Sequence, residues 1–241
     1  MNDLTSVASI SSGPSGPSGQ SGPSLHIVWD WNGTLLHDID AVIAATNASF
    51  AEFGFEPITL ERYRDLYVVP VPRFYERIMG RLPTEEEWLV MDETFHRHYW
   101  AAAAEAGLAE GAKTLLGDWQ RAGLSQSLLS LAPHDRLVPL VRTHGIESHF
   151  VRVDGRTGPS HTTKAGHLVR HLAAMAPAGV TAERTVLIGD ALDDAAAAAH
   201  VGARAVLYTG GSHSRSSLES AGVPVVDTLE DAVRAARDLA E

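Results

Sequence analysis

Six short, densely apolar runs, most of them separated by a single helix-length stretch, limit what this chain can fold into more than any other feature. The runs are residues 25–30, 124–130, 150–153, 185–189, 205–208 and 223–226. Helical periodicity fills residues 135–144, 163–175, 193–201 and 229–241. Strands apolar on both faces and joined by helices have to lie in a parallel sheet covered on both sides. The expected class is therefore α/β, a doubly wound parallel sheet, with ligands bound beyond the carboxyl ends of its strands.

Between residues 36 and 111 the alternation stops. Residues 40–53, 60–67, 73–79 and 84–106 read as consecutive helices, broken at Gly54-Phe55-Glu56-Pro57 and at Arg81-Leu82-Pro83. This predicts a helical cap, residues 37–108, inserted after the first strand of a core made of residues 25–36 and 109–241. A unit leaving the sheet there hangs over the strand ends, where a lid belongs. Residues 1–24 are a Gly/Pro/Ser-rich tail that cannot bury enough surface to offset its ordering entropy, and are expected to be disordered. Met1 to Ile10 lacks the basic start and apolar centre of a secretory signal, so the expected location is cytoplasmic.

Composition removes several classes of partner. A net charge of -11 without any basic run argues against nucleic acid and anionic membrane. No apolar stretch approaches membrane-spanning length. Zero cysteines exclude disulfides and thiolate metal sites. Nothing in the sequence specifies an oligomeric state.

Four expected strand or helix ends carry candidate chemistry. Asp30 closes the first strand and runs into Asn32-Gly33-Thr34, a turn whose backbone amides can hold an anion beside a carboxylate nucleophile. Ser130 ends the second strand. Lys164, one of only two lysines with Lys113, opens a helix, and Gly189-Asp190 with Asp193 and Asp194 follows the fourth strand. Each has a plainer reading: a hairpin at Asn32-Gly33, a helix cap at Ser130 or at Asp193, a solvated surface cation at Lys164. Carboxylates 30, 190 and 194 converging on one edge would repel one another unless a cation joined them, and magnesium suits such oxygen ligands best. Histidines compete poorly: His96 and His98 face different ways on a helix, while His167 and His171 read as surface residues.

In this order the motifs resemble those of the haloacid dehalogenase (HAD) superfamily of phosphohydrolases, over residues 25–241. The Asp-x-Asp-Gly-Thr motif matches at Asp30, Gly33 and Thr34 and departs at Asn32; the Ser/Thr and Lys motifs fit Ser130 and Lys164; Gly-Asp-x-x-x-Asp fits Gly189, Asp190 and Asp194. The resemblance implies a Rossmann-type core and a magnesium-dependent phosphatase acting on a small phosphorylated metabolite through an aspartyl phosphate. It makes Asp30 the nucleophile and Ser130, Lys164 and Thr34 substrate ligands, with Lys164 also offsetting charge during transfer. Asp30, Asp190, Asp194 and the backbone carbonyl of Asn32 become the metal set.

The cap is similar to that of phosphoglycolate-phosphatase-like members, and Tyr67, Arg73, Tyr75 and Arg77 are its candidate specificity residues. Residues 37–108 contain no lysine, which removes Schiff-base chemistry in the cap. Asn32 stands where the family's acid–base aspartate stands, and an amide can neither give nor take the proton. Three accounts follow: a substrate with a good leaving group, a substitute acid such as Asp38, His37 or a cap residue, or phosphate binding with weak or no turnover. Deamidation of Asn32-Gly33 would be a further route to an acid. A metal-independent dehalogenase is a second alternative, against which the pair Asp190 and Asp194 counts.

Overall fold

The computed structural model describes residues 25–158 and 163–239. The expected disordered tail lies outside the described residues. Six parallel strands form one sheet: β1 (His26–Trp29), β2 (Ser125–Pro133), β3 (Val153–Arg156), β4 (Thr185–Gly189), β5 (Arg204–Tyr208) and β6 (Val225–Val226), in the order β3-β2-β1-β4-β5-β6. The chain steps from β1 out to β3 and then returns to the other side of β1 at β4. The crevice of a doubly wound sheet opens at this reversal, so the β1/β4 boundary is where a ligand is expected.

Alternate residues of each strand serve opposite faces. Ile27 and Trp29 of β1, Leu128 of β2 and Ile188 of β4 meet α5 (Ala112–Arg121), α6 (His134–Thr143) and α10 (Leu229–Asp238) through Leu116, Trp119, Leu137, Val141 and Ala232. Val28, Leu129 and Leu187 meet α7 (Lys164–Met175) and α8 (Leu192–Val201) through Leu168, Leu172, Ala195 and Ala198. The alanines of α8 let that helix approach the sheet closely.

Between β1 and α5 lie α1 (Ile39–Ala51), α2 (Leu60–Leu66), α3 (Val71–Met79) and α4 (Glu85–Ala103). Thr84 and Glu87 form a capping box that starts α4. These helices share an aromatic core of Phe50, Tyr63, Phe74, Tyr75 and Met91, and α1 packs on α4 through Ala41, Ala45, Tyr99 and Ala103. A short helix α9 (Arg215–Glu219) follows β5. No helix among the described residues is long and apolar enough to cross a membrane.

Three sequence expectations are corrected. Helix α5 has no counterpart in the sequence reading, although Leu116 and Trp119 give it an inward face; it is short and directly follows the breaks that end the insert. The third strand is Val153–Arg156 rather than residues 150–153. Glu147–His149 is a 3-10 turn and Val151 is 62% exposed, so the apolar letters there lead into the strand without forming it. At Gly155 a Cβ would lie 2.7 Å from the Ala132 carbonyl oxygen, which reserves that position for glycine. The hairpin reading of Asn32-Gly33 also fails, because β1 has only parallel neighbours.

Candidate active site

Asp30 follows the last residue of β1, and its backbone N–H still donates to the Ile188 carbonyl of β4 at 2.8 Å. The chain then turns tightly, with Leu36 N–H donating to the Trp31 carbonyl. Gly33 permits this turn: its φ is +70°, and a Cβ there would lie 2.6 Å from an Asp190 carboxylate oxygen. The Asp30 carboxylate receives the Lys164 ammonium on Oδ1 and the Thr34 hydroxyl on Oδ2, the latter at 3.3 Å. Thr34 is fully buried and holds the carboxylate from beneath.

Lys164 is the first residue of α7. Its ammonium bridges Asp30 and Asp194, and its backbone N–H donates to Asp193 at 3.0 Å. Asp194 is otherwise occupied by the Ala191 N–H at 3.0 Å, so it stands behind Lys164. Neither plain cap reading holds. Ala191, not Asp193, is the N-cap of α8, and α6 starts from Pro133 without a side-chain cap. Ser130 instead accepts the Ala132 N–H at 3.0 Å and donates to Asn32 Oδ1 at 3.3 Å. Lys164 is buried, which removes its reading as a solvated cation.

One oxygen from each of Asp30, Asp190 and Asp194 lies within 4.8 Å of the others. Asp30, Asp190, Asp194 and Lys164 are each no more than 6% exposed. Burial, only partly opposed by Lys164 and aided by Asp194, pushes the Asp30 carboxyl up to about 7. Burial, then Asp30 and Asp194, raises Asp190 well above the carboxylate range. For Lys164, burial works against the charge, but Asp194 and Asp30 outweigh it and hold the ammonium protonated. Three buried acids with one resident cation are electrostatically undercompensated, and a hard divalent ion with oxygen ligands would correct this. Asp190 is presented for such a role: Ser212 N–H fixes one of its oxygens at 2.7 Å, and Gly211 packs against its carboxyl group.

The insert reaches the same place. Arg64 of α2 donates to the carbonyls of Gly211 at 2.9 Å and Gly210 at 3.2 Å, and its own carbonyl accepts from Ser214 N–H. Tyr67 lies edge-on to His213, with ring centroids 5.0 Å apart. Burial and the nearby carboxylates, Asp190 foremost, raise the Tyr67 phenol. Of the four candidate specificity residues, Tyr67 is the one placed against the core, beside His213. Tyr75 is buried in the insert's core beside Ser49, while Arg73 pairs with Glu76 and Arg77 donates to the Leu66 carbonyl, both at the surface.

The side-chain nitrogen of Asn32 is directed at Asp38 and Tyr99. Its Nδ2 donates to Asp38 Oδ2 at 2.8 Å and to the Tyr99 hydroxyl at 2.5 Å. Asp38 also accepts from Gly33 N–H at 2.8 Å and from Tyr99 at 2.6 Å. This opposes deamidation of Asn32, since the Gly33 nitrogen that would attack the amide is held in a hydrogen bond. Sequence reasoning missed Tyr99, Arg64, Gly211 and Ser212. Tyr99 lies 67 residues from Asn32, and nothing local marks it.

His167 and His171 are also corrected, from surface to buried. His171 places Nδ1 2.7 Å from the Asp154 carboxylate and Nε2 2.8 Å from the Ser127 hydroxyl. The same Ser127 hydroxyl is hydrogen-bonded to His26 Nε2 at 2.8 Å. A Ser-His-Asp arrangement results, but it lies inside the sheet–helix interface and ties α7 to β1, β2 and β3.

A family model described as haloacid dehalogenase-like hydrolase matches residues 25–202. Among curated proteins, a phosphoglycolate phosphatase of Cereibacter sphaeroides is 28% identical over 190 residues, spanning 77% of this chain and 85% of its own length. Phosphoglycolate phosphatase 1 of Pseudomonas aeruginosa is 26% identical, spanning 89% of this chain and 80% of its own. The fold is shared with a hydrolase from Pseudomonas syringae, with a TM-score of 0.72 at 19% identity over 90% of this chain and 100% of that one.

Proposed function

Because the chain belongs to the haloacid dehalogenase-like hydrolases, we propose that it is a magnesium-dependent phosphatase acting on a small phosphorylated metabolite through an aspartyl phosphate on Asp30. The observation that carries this reading is the meeting of Asp30, Asp190, Asp194 and Lys164 at the β1/β4 crevice. The curated relatives named as phosphoglycolate phosphatases support a small phosphorylated substrate.

In this reading an Asp30 carboxylate oxygen attacks phosphorus, and the bond from phosphorus to the leaving oxygen breaks, its electron pair departing with that oxygen. Water then attacks the same phosphorus. The Asp30 carboxylate is released, and the proton lost by the water is taken up by the phosphate product. Lys164 turns its ammonium from the carboxylates towards the phosphoryl oxygens, Ser130 donates to them, and the amides of the Asn32-Gly33-Thr34 turn complete the cradle. Thr34 keeps Asp30 aimed. Asp30, Asp190 and the Asn32 carbonyl would hold magnesium, with Asp194 orienting the set, and the ion would neutralise phosphate charge. Residues 37–108 act as a cap over the core formed by residues 25–36 and 109–241. Since the carboxylates are buried, this cap opens to admit substrate.

One observation favours a second reading, a phosphate-binding protein with weak or no turnover: residue 32 is an amide already engaged with Asp38 and Tyr99. Hydrolysis of an aryl phosphate, with magnesium and with chelator, separates the two. Metal-dependent turnover that Asp30→Asn abolishes supports the phosphatase. Saturable phosphate binding without turnover across a broad ester panel supports the binder, and halide release persisting in chelator would replace both with a dehalogenase.

A further inference from the structure

Around residue 32, the protons of the Tyr99 hydroxyl and the Asn32 amide are committed to one another and to Asp38. The Lys164 ammonium, paired here with Asp30 and Asp194, is the one that turns to the phosphoryl oxygens in the reading above. Tyr99 has a single proton and spends it on Asp38, while accepting from Asn32. Asp38 offers only acceptor oxygens, and these take Gly33 N–H, Asn32 Nδ2 and Tyr99. That carboxylate also decides which way the Asn32 amide faces. Nitrogen must point at Asp38, so the oxygen points out towards Ser130. Residue 32 therefore presents a hydrogen-bond acceptor to the crevice. The hydroxyls of Ser130 and Thr34 are not acids at neutral pH.

Resting on the phosphatase reading above, we infer that the substrates are phosphates whose leaving oxygen is stable as an anion, such as acyl or enol phosphates, and that Asp38 and Tyr99 enforce this by locking the Asn32 amide with its carbonyl outward. For an acyl phosphate the balance closes without a donor. Asp30 bonds to phosphorus, the bond between phosphorus and the acyl oxygen breaks, and a carboxylate departs with the electron pair. An alkyl ester would have to expel an alkoxide. Withholding general acid catalysis from such a step costs roughly 10²–10⁴-fold. The negative charge of this pair resides on residue 38 rather than 32, and exchanging the two side chains keeps the total charge and allows a carboxamide–carboxylate hydrogen bond between them.

The test uses the full chain with magnesium and measures kcat/KM for acetyl phosphate, for aryl phosphates of graded phenol acidity, and for an alkyl phosphate. Turnover is expected to fall steeply as the phenol becomes less acidic, with the alkyl ester slowest. In the double variant Asn32→Asp/Asp38→Asn the ratio of activated to alkyl rates should narrow by roughly 10²-fold. A flat aryl series, or an alkyl ester as fast as acetyl phosphate in the unaltered protein, would overturn the inference and leave the phosphatase reading intact. No turnover of acetyl phosphate or of any ester would overturn both. If the double variant fails to fold, the graded series in the unaltered protein decides alone.

Discussion

Acidification should work against the fold at His26, and the size of this contribution follows from where the ring sits. His26 is fully buried on β1, with Nδ1 against Ser125 at 2.7 Å and Nε2 against Ser127 at 2.8 Å. Burial, then the neighbouring His171, lowers its pKa from 6.5 to about 3. The folded state thus resists a proton that the unfolded chain accepts below 6.5. The stability that this ring contributes is full above that value and is lost as pH falls through the window from 6.5 to about 3. At about pH 4.5, roughly two units into the window, the loss is about 2.7 kcal/mol. Asp154, on the same network, is held down to about 2: its burial is outweighed by hydrogen bonds from His171 and Arg152, so it stays charged at that pH. Buried Asp30 and Asp190, with raised pKa values, gain stability over the same acidification, so the His26 contribution is read by urea unfolding at about pH 7.5 and about pH 4.5 as the difference between this protein and a variant that cannot titrate there. In His26→Gln the stability change from about pH 7.5 to about pH 4.5 should be more favourable to the folded state by about the same 2.7 kcal/mol, even though the variant is less stable throughout. An equal acid-induced loss in both proteins would refute the assignment.

Three further outcomes are expected. Gly211→Ala would drive a Cβ into the Asp190 carboxyl group; activity should fall at least about 10-fold, through displacement of a group needed at about 1 Å accuracy, while the circular dichroism spectrum is retained, and full activity would remove Asp190 from the site. Lys164→Met leaves Asp30 and Asp194 buried without their cation, and a loss of about 3–5 kcal/mol at neutral pH, read by urea unfolding without metal, is expected; unchanged stability would mean the carboxylates do not depend on it. Arg64→Ala removes two hydrogen bonds that hold α2 to Gly210 and Gly211, so hydrogen exchange in residues 60–66 should accelerate while β1 and β4 stay protected. Uniform exchange rates across both regions would show that the arginine does not hold the insert down.

The sequence by itself determined most of the sheet and which charged residues gather at its edge. Val28, Leu187 and Leu207 are buried where strand-length apolar runs required, and Asp30, Lys164, Asp190 and Asp194 each stand at the end of an element whose type is set by local periodicity. A parallel sheet has its strand ends on one edge, so order along the chain sufficed to bring these four together. The third strand escaped because the register that counts is its pairing with Leu128 and Leu129, which the apolar letters at Phe150 and Val151 do not encode. His167 and His171 escaped because two polar letters on a helix do not reveal that Ser127 and Asp154 wait beneath one of them.

Only the tertiary structure decided what Asn32 does. Its amide is oriented by Asp38, six residues on, and by Tyr99, at the far end of the insert. Such hydrogen bonds form between groups brought together by packing, and neither spacing nor periodicity carries their geometry. The carboxylate at 38 makes residue 32 an outward acceptor, an orientation that the single-letter departure from the motif does not reveal by itself.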